Sequence, residues 1–270
     1  MTDHDRRMHR ILSAGRPSPP SGAANVLTFG WRAVLKIKHM PEQLFDVVVT
    51  PVMFTVLFTF LFGGALAGST DAYLQFLLPG ILVQTVMFTS IYLGFTLNTD
   101  LSKGIYDRFK SMPIWRPSPI AGAMAGDVAR YSISAAIVFV IGFGLGFRTE
   151  AGVTGVVASI LLLNVFALGF SWIFTLISLI VRTPSTVMTL GWLVLMPMTF
   201  VSNVYVDPVT MPDWMQSIVA INPVSHVTTA IRGLMDNAAS AADIGLAIAS
   251  PLIVAALCAP IAMRLYNRER

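Results

Sequence analysis

Thr154–Val181 reads TGVVASILLLNVFALGFSWIFTLISLIV, without one charged residue. A helix needs roughly 20 mostly apolar residues to cross the hydrocarbon core of a bilayer, and this run exceeds that length. Its apolar side chains fall on every side of a helix, which leaves no polar face for water. Five more runs read as spans by the same measure: approximately Val47–Ala67, Phe76–Leu97, Met124–Phe147, Thr186–Val206 and Ile244–Arg264. Asp127 and Arg130 lie near the start of the third span, three residues apart, where they can pair on one helix face at the hydrated edge.

Composition agrees with a membrane chain. Of 270 residues, 55% are hydrophobic and 12% charged, against roughly 25% charged in a soluble domain. The net charge of +4 is not a nucleic-acid footprint, because the basic residues flank apolar spans. Cys258 is the only cysteine, so an intramolecular disulfide and a cysteine-based metal site are both excluded. Residues 1–24 are polar, with Ser, Pro and Gly concentrated from Ser13 to Gly22. They read as a disordered tail rather than a secretory leader.

The lysines and arginines set an orientation. With the amino terminus in the cytoplasm, that side holds Arg6, Arg7, Arg10, Arg16, Arg32, Lys36 and Lys38 before the first span. It also holds Lys103, Arg108, Lys110, Arg116 and Arg130 around the second connection, then Arg182, Arg264, Arg268 and Arg270. Only Arg148 and Arg232 fall outside. The positive-inside rule therefore places both termini in the cytoplasm.

Three segments are too polar or too short to span. In Asn25–Gln43, the apolar residues Val26, Leu27, Trp31, Val34, Leu35 and Ile37 mix with Arg32 and Lys36. This fits a helix lying in the cytoplasmic interface, broken by Pro41. In Asp100–Pro113, Leu101, Ile105, Phe109 and Met112 recur at helical spacing opposite Lys103, Asp107, Arg108 and Lys110. That short amphipathic helix has an apolar face that a partner protein or the membrane surface must cover. In Asp207–Asp243, the stretches Pro212–Ile221 and Pro223–Met235 have re-entrant or interfacial length. Pro212 and Pro223 suit a first helical position and Asn222 an N-cap, while Ser240 and Asp243 form a capping pair for the last span.

The chemistry that is missing narrows the function. No Gly-x-x-x-x-Gly-Lys-Ser/Thr loop occurs, so this chain is not an ATPase of that type. The histidines His4, His9, His39 and His226 are not at metal-ligand spacing, and no Gly-x-Ser-x-Gly motif is present. The carboxylates Asp46, Asp127, Asp207 and Asp243 are read at span ends, which argues against a proton-coupled carrier. The polar residues within spans, Gln84, Thr85, Asn98, Asn164, Ser171 and Asn203, read as hydrogen-bonding links between helices. Gly122 with Gly126, and Gly142 with Gly146, have the spacing of close helix packing. By elimination the chain fits a permease driven by a separate motor.

Several short motifs sit in a fixed order. They are Pro41 with Asp46 and Pro51, Phe62-Gly63-Gly64, and Leu78-Pro79-Gly80-Ile81-Leu82. Asp100-Leu101-Ser102-Lys103-Gly104-Ile105-Tyr106-Asp107-Arg108-Phe109-Lys110-Ser111-Met112-Pro113 is the most specific. Gly146-Phe147-Arg148, Pro197, Ser202-Asn203, Met211-Pro212-Asp213-Trp214, Asn222-Pro223-Val224-Ser225 and Arg232 follow. In this order the chain, over roughly residues 25–270, resembles the type-2 ATP-binding-cassette exporter permeases, especially their daunorubicin-resistance-type branch. It departs from the pattern at Met235-Asp236-Asn237, where a further glycine is expected, and in the small side chains of Ala121–Gly126.

The resemblance implies an all-α integral membrane fold: a tail at 1–24, an interfacial connecting helix at 25–43, and a six-helix transmembrane permease domain at 44–270. It adds a cytoplasmic coupling helix and an external re-entrant helical hairpin before the last span. The implied partners are a cytoplasmic ATPase subunit, a second copy or a related permease chain, and membrane lipids, with no nucleic acid. ATP and Mg would reside on the ATPase, leaving no cofactor and no metal on this chain. The implied setting is a bacterial plasma membrane and the implied cargo a hydrophobic drug, polyketide or lipid. Coupling would fall to Lys103, Gly104, Ile105, Asp107, Arg108, Phe109 and Lys110, and the external cap to Pro212, Trp214, Asn222, Pro223 and Arg232. A substrate path is expected along Gln84, Phe88, Tyr92, Met196, Phe200 and Asn203. The rival readings are a polysaccharide or glycolipid exporter of the same superfamily, a motor-independent carrier and a membrane enzyme.

Overall fold

The computed structural model describes residues 21–38, 41–106, 112 and 114–268, with the side chains of 36–38 and 41–48 outside that description. The described residues form α-helices and one 3-10 turn: α1 (Gly22–Lys38), α2 (Pro41–Ala67), α3 (Thr70–Ser102), α4 (Ser118–Leu145), α5 (Gly152–Ile180), α6 (Pro184–Phe200), the turn Pro208–Thr210, α7 (Asp213–Ile221), α8 (Pro223–Met235) and α9 (Ala241–Asn267). Five of these, α3, α4, α5, α9 and the Val49–Ala67 part of α2, are long and apolar enough to cross a membrane.

The fifth expected span differs. Thr186–Val206 was expected to be one helix, but α6 stops at Phe200 after 17 residues. At about 1.5 Å per residue it falls short of the roughly 30 Å hydrocarbon core. The next residues are irregular, and Ser202, Asn203, Val204 and Tyr205 are buried. Such backbone is tolerated at membrane depth only where protein satisfies its polar groups.

Helix ends follow the side chains available. Ser69 caps α3 by accepting from the Ala72 amide at 3.1 Å. Asn222 caps α8 by accepting from Val224 at 2.9 Å, and Ser240 with Asp243 forms the expected capping box of α9. Pro223 takes the first turn of α8, whereas Pro212 is itself the N-cap of α7. Pro41 opens α2, and α1 ends at Lys38 rather than Gln43.

α3 is the centre of the bundle. Buried residues make up 83% of its most apolar window, against 11% for α9, which is peripheral. Leu77, Leu78, Ile81, Leu82 and Val86 of α3 meet Phe166 and Phe170 of α5 and Val224, Val227 and Ile231 of α8 in one core. A second core, of Leu93, Leu97, Ile120, Met124, Leu179 and Tyr266, lies at the other end of α3. Between lipid-facing helices the drive is close packing and hydrogen bonding rather than escape from water. Gly122 and Gly126 serve that packing, but against α1: a side chain on either would run into Phe29, Gly30 or Ala33. Gly142 accommodates Leu78, while Gly146 is a left-handed C-cap with φ of 106°.

The polar residues within the spans divide. Asn98 donates from α3 to Ser178 O and Val181 O, both at 2.8 Å, and Asn164 links α5 to Ser132 of α4 at 3.0 Å. Thr85 and Ser171 instead donate back to Ile81 O and Leu168 O of their own helices.

Candidate functional site

A cavity of about 130 Å³ opens between α2, α3 and α6. Phe54, Phe88, Tyr92 and Trp192 give it aromatic walls, and Thr50, Gln84, Thr85 and Thr89 give it a polar side. Phe88 and Trp192 meet edge to face with ring centres 4.6 Å apart. The Gln84 Oε1 accepts from the Tyr205 hydroxyl at 2.7 Å, which orients the carboxamide. Its Nε2 donates to no described residue, so one amide donor is held in place at the cavity wall. Thr85 and Thr89 spend their protons on Ile81 O and Thr85 O, which leaves their oxygens as acceptors. The site suits an aromatic, largely uncharged guest with a few hydrogen-bonding groups.

A second constellation lies at the start of α3 and joins the cavity through Tyr205. Arg232, in the last turn of α8, donates through Nε and Nη2 to Phe76 O at 3.1 and 3.0 Å, and through Nη2 to Asn203 O at 2.8 Å. Its guanidinium lies 3.8 Å from the centre of the Phe76 ring. Tyr73 donates to Tyr205 O at 2.9 Å, and Asn222 donates to Met198 O and Val201 O at 2.8 and 2.5 Å. These bonds supply the partners that the irregular segment after α6 lacks. Burial draws the Arg232 guanidinium down to about 10, while Asp207 and Asp236 pull it back up, so it stays charged at neutral pH. Burial and the nearby Glu150 push the Asp236 carboxyl up.

At the other end, Arg32 of α1 pairs with Asp100 of α3 at 3.4 Å. This ties the first helix to the start of the Asp100–Pro113 segment. Lys103 and Gly104 form a turn after α3, and Ile105 and Tyr106 are helical. Asp107, Arg108, Phe109 and Lys110 lie outside the described residues. Asp127 and Arg130 do pair, at 3.3 Å, but not at a hydrated edge: both are buried, more than two turns into α4. The Arg130 guanidinium sits 6.0 Å from the centre of the Tyr92 ring. The hydrated setting expected for the pair is therefore corrected: its surroundings are protein.

The structure gathers Gln84, Phe88 and Tyr92 in the cavity and separates the rest of the expected path. Met196 is partly buried and does not line the cavity. Phe200 is half exposed, with its ring 5.0 Å from that of Tyr205. Asn203 belongs to the Arg232 constellation and donates to Thr229 at 2.8 Å. Phe54, Met188 and Trp192 line the cavity without having been expected there. Of the expected cap, Asn222 and Arg232 hold the irregular segment, whereas Pro212 and Trp214 are exposed on α7. Among the described residues no group of histidine, cysteine and carboxylate side chains could hold a metal, His226 included.

Comparison with known proteins gives a consistent family assignment. The family model for the ABC-2 type transporter matches residues 24–235. The chain is 44% identical over 264 residues to the daunorubicin resistance ABC transporter permease protein DrrB1 of Streptomyces coeruleorubidus, covering 97% of this chain and 93% of that protein. It is 26% identical over 192 residues to the doxorubicin resistance ABC transporter permease protein DrrB of Mycobacterium tuberculosis, covering 71% and 66%. It is 25% identical over 207 residues to the putative transport permease ycf38 of Cyanophora paradoxa, covering 75% and 71%.

Proposed function

The chain belongs to the ABC-2 type transporter family, and from that premise we propose that it is the membrane-spanning subunit of an ATP-driven exporter of hydrophobic aromatic drugs. The cavity of Phe54, Phe88, Tyr92, Trp192 and Gln84 carries the reading, because its aromatic walls and few polar groups suit such a guest chemically. Two relatives named for daunorubicin and doxorubicin resistance support the cargo class.

In this reading the chain crosses the membrane six times, α6 completing its passage through the irregular residues that follow it. Both termini face the cytoplasm, as the lysine and arginine distribution requires. α7 and α8 form a re-entrant cap on the outer side, with the exposed Trp214, Ile218 and Ile221 of α7 at the lipid interface. A separate ATPase subunit holds ATP and Mg and pushes on the segment Lys103–Lys110. A second permease subunit packs on the exposed apolar faces, and the cargo enters from the inner leaflet. ATP on the partner then biases a two-state equilibrium between inward and outward forms.

The test is ATP-dependent export by the chain reconstituted with the ATPase that copurifies with it. Trp192→Ala and Phe88→Ala should raise the KM for an aromatic drug about tenfold, the equivalent of about 1.4 kcal/mol of lost contact. Phe109→Asp should abolish drug-stimulated hydrolysis by removing the apolar anchor of the coupling segment. Unchanged kinetics in the cavity variants would remove the cavity from the transport path.

A further inference from the structure

A second cavity, of about 230 Å³, lies between the ends of α3, α5 and α9 and shares no lining residue with the aromatic cavity. Its ionisable lining carries like charge. Arg182 follows α5 and Arg268 follows α9, and no described carboxylate lines it. Neither guanidinium makes an ion pair with a described residue. Asp100, a nearby acid on α3, lines a different small cavity together with its partner Arg32.

The remaining wall mixes the apolar side chains of Leu101, Leu179 and Leu265 with Asn98, Tyr106 and Tyr266. Asn98 is 2% exposed and its Nδ2 is committed to the end of α5. Its Oδ1 has no hydrogen-bond partner. Two exposed guanidiniums with no ion-pair partner among the described residues call for a phosphate. Apolar side chains in the same lining call for the start of an acyl chain.

We propose that this cavity binds one anionic phospholipid headgroup, its phosphate between Arg182 and Arg268. A glycerol headgroup leaves the lipid anionic, whereas a choline headgroup cancels the phosphate's charge. Basic pockets between the ends of membrane helices are suited to anionic lipids. The proposal rests on the reading that these helix ends lie at a membrane surface. It assigns the cavity no part in drug binding.

The experiment is native mass spectrometry of the full chain purified from detergent after incubation with vesicles of phosphatidylglycerol and phosphatidylcholine in equal parts. One phosphatidylglycerol per chain should be retained, with at least tenfold preference over phosphatidylcholine. The double variant Arg182→Gln/Arg268→Gln should lose that preference. Inorganic phosphate at millimolar concentration should fail to displace the lipid, because it lacks the acyl contacts. Three results would each overturn the proposal: equal retention of both lipids, a preference unchanged in the double variant, or displacement by phosphate alone. Loss of ATPase copurification in the double variant with lipid retention intact would also overturn it, assigning the arginines to the partner protein. Retention is read without transport. A chain that keeps the lipid but exports nothing counts against the exporter reading alone. One that exports but holds no lipid counts against this site alone.

Discussion

Arg232 shows how one residue can hold together backbone that local sequence leaves unsupported. Its guanidinium reaches Phe76 O on α3 and Asn203 O in the segment after α6, two carbonyls far apart in the chain. A planar fork makes those bonds together, and a lysine ammonium cannot reproduce the fork. Arg232→Ala should destabilise the fold by about 3 kcal/mol, given roughly 1.5–3 kcal/mol for a hydrogen bond to a charged group. Arg232→Lys should recover less than half of that loss, as read from thermal unfolding in detergent. Full recovery of stability by Arg232→Lys would show that the charge and not the fork is what counts. In the sequence, Arg232 was legible as a member of the external cap but not as its hub, because its partners lie more than twenty residues away. The Asp127–Arg130 pair was legible from its spacing, while its burial depends on neighbours such as Tyr92 that spacing does not reveal.

At the scale of elements, periodicity found the helices and glycine spacing found a contact, yet neither named the partners. Gly122 and Gly126 read as a seam between helices. The seam holds α1, the helix expected to lie in the interface, against the start of α4. Arg32 then ties the same helix to Asp100 at the end of α3. α1 thus touches both elements that bracket the Asp100–Pro113 segment, which makes it a brace for that segment. Gly126→Val should be worse tolerated than Gly144→Val, because Ala33 and the Gly30 backbone confront position 126 and nothing confronts position 144. Overpacking of this kind costs about 1–3 kcal/mol. The difference should appear as a lower melting temperature for Gly126→Val alone, and equal melting would mean that α1 yields without cost. The early end of α6 was hidden for a related reason. Thr186–Val206 is apolar throughout most of its length, and where its last residues leave the helix Asn222, Tyr73 and Arg232 offer their carbonyls other partners.

For the whole molecule, the short α6 turns a question of length into one of parity. If α6 and the residues after it cross together, the chain crosses six times and its termini share a side. If they do not, it crosses five times, and Arg264 and Arg268 would lie across the membrane from Arg32, against the positive-inside rule. Two positions decide between these. Ser185 is exposed at the start of α6, and Trp214 is exposed on α7 beyond the irregular segment. Cys258 is the only native cysteine, so Cys258→Ala provides a clean background for adding either Ser185→Cys or Trp214→Cys. A membrane-impermeant maleimide applied to intact cells should label the Trp214→Cys chain and should reach the Ser185→Cys chain only after permeabilisation. Protection of both until permeabilisation would make α6 a hairpin that enters and leaves on the cytoplasmic face. The basic residues after α9 would then lose their place on the cytoplasmic surface, and the six-span reading would fall with them.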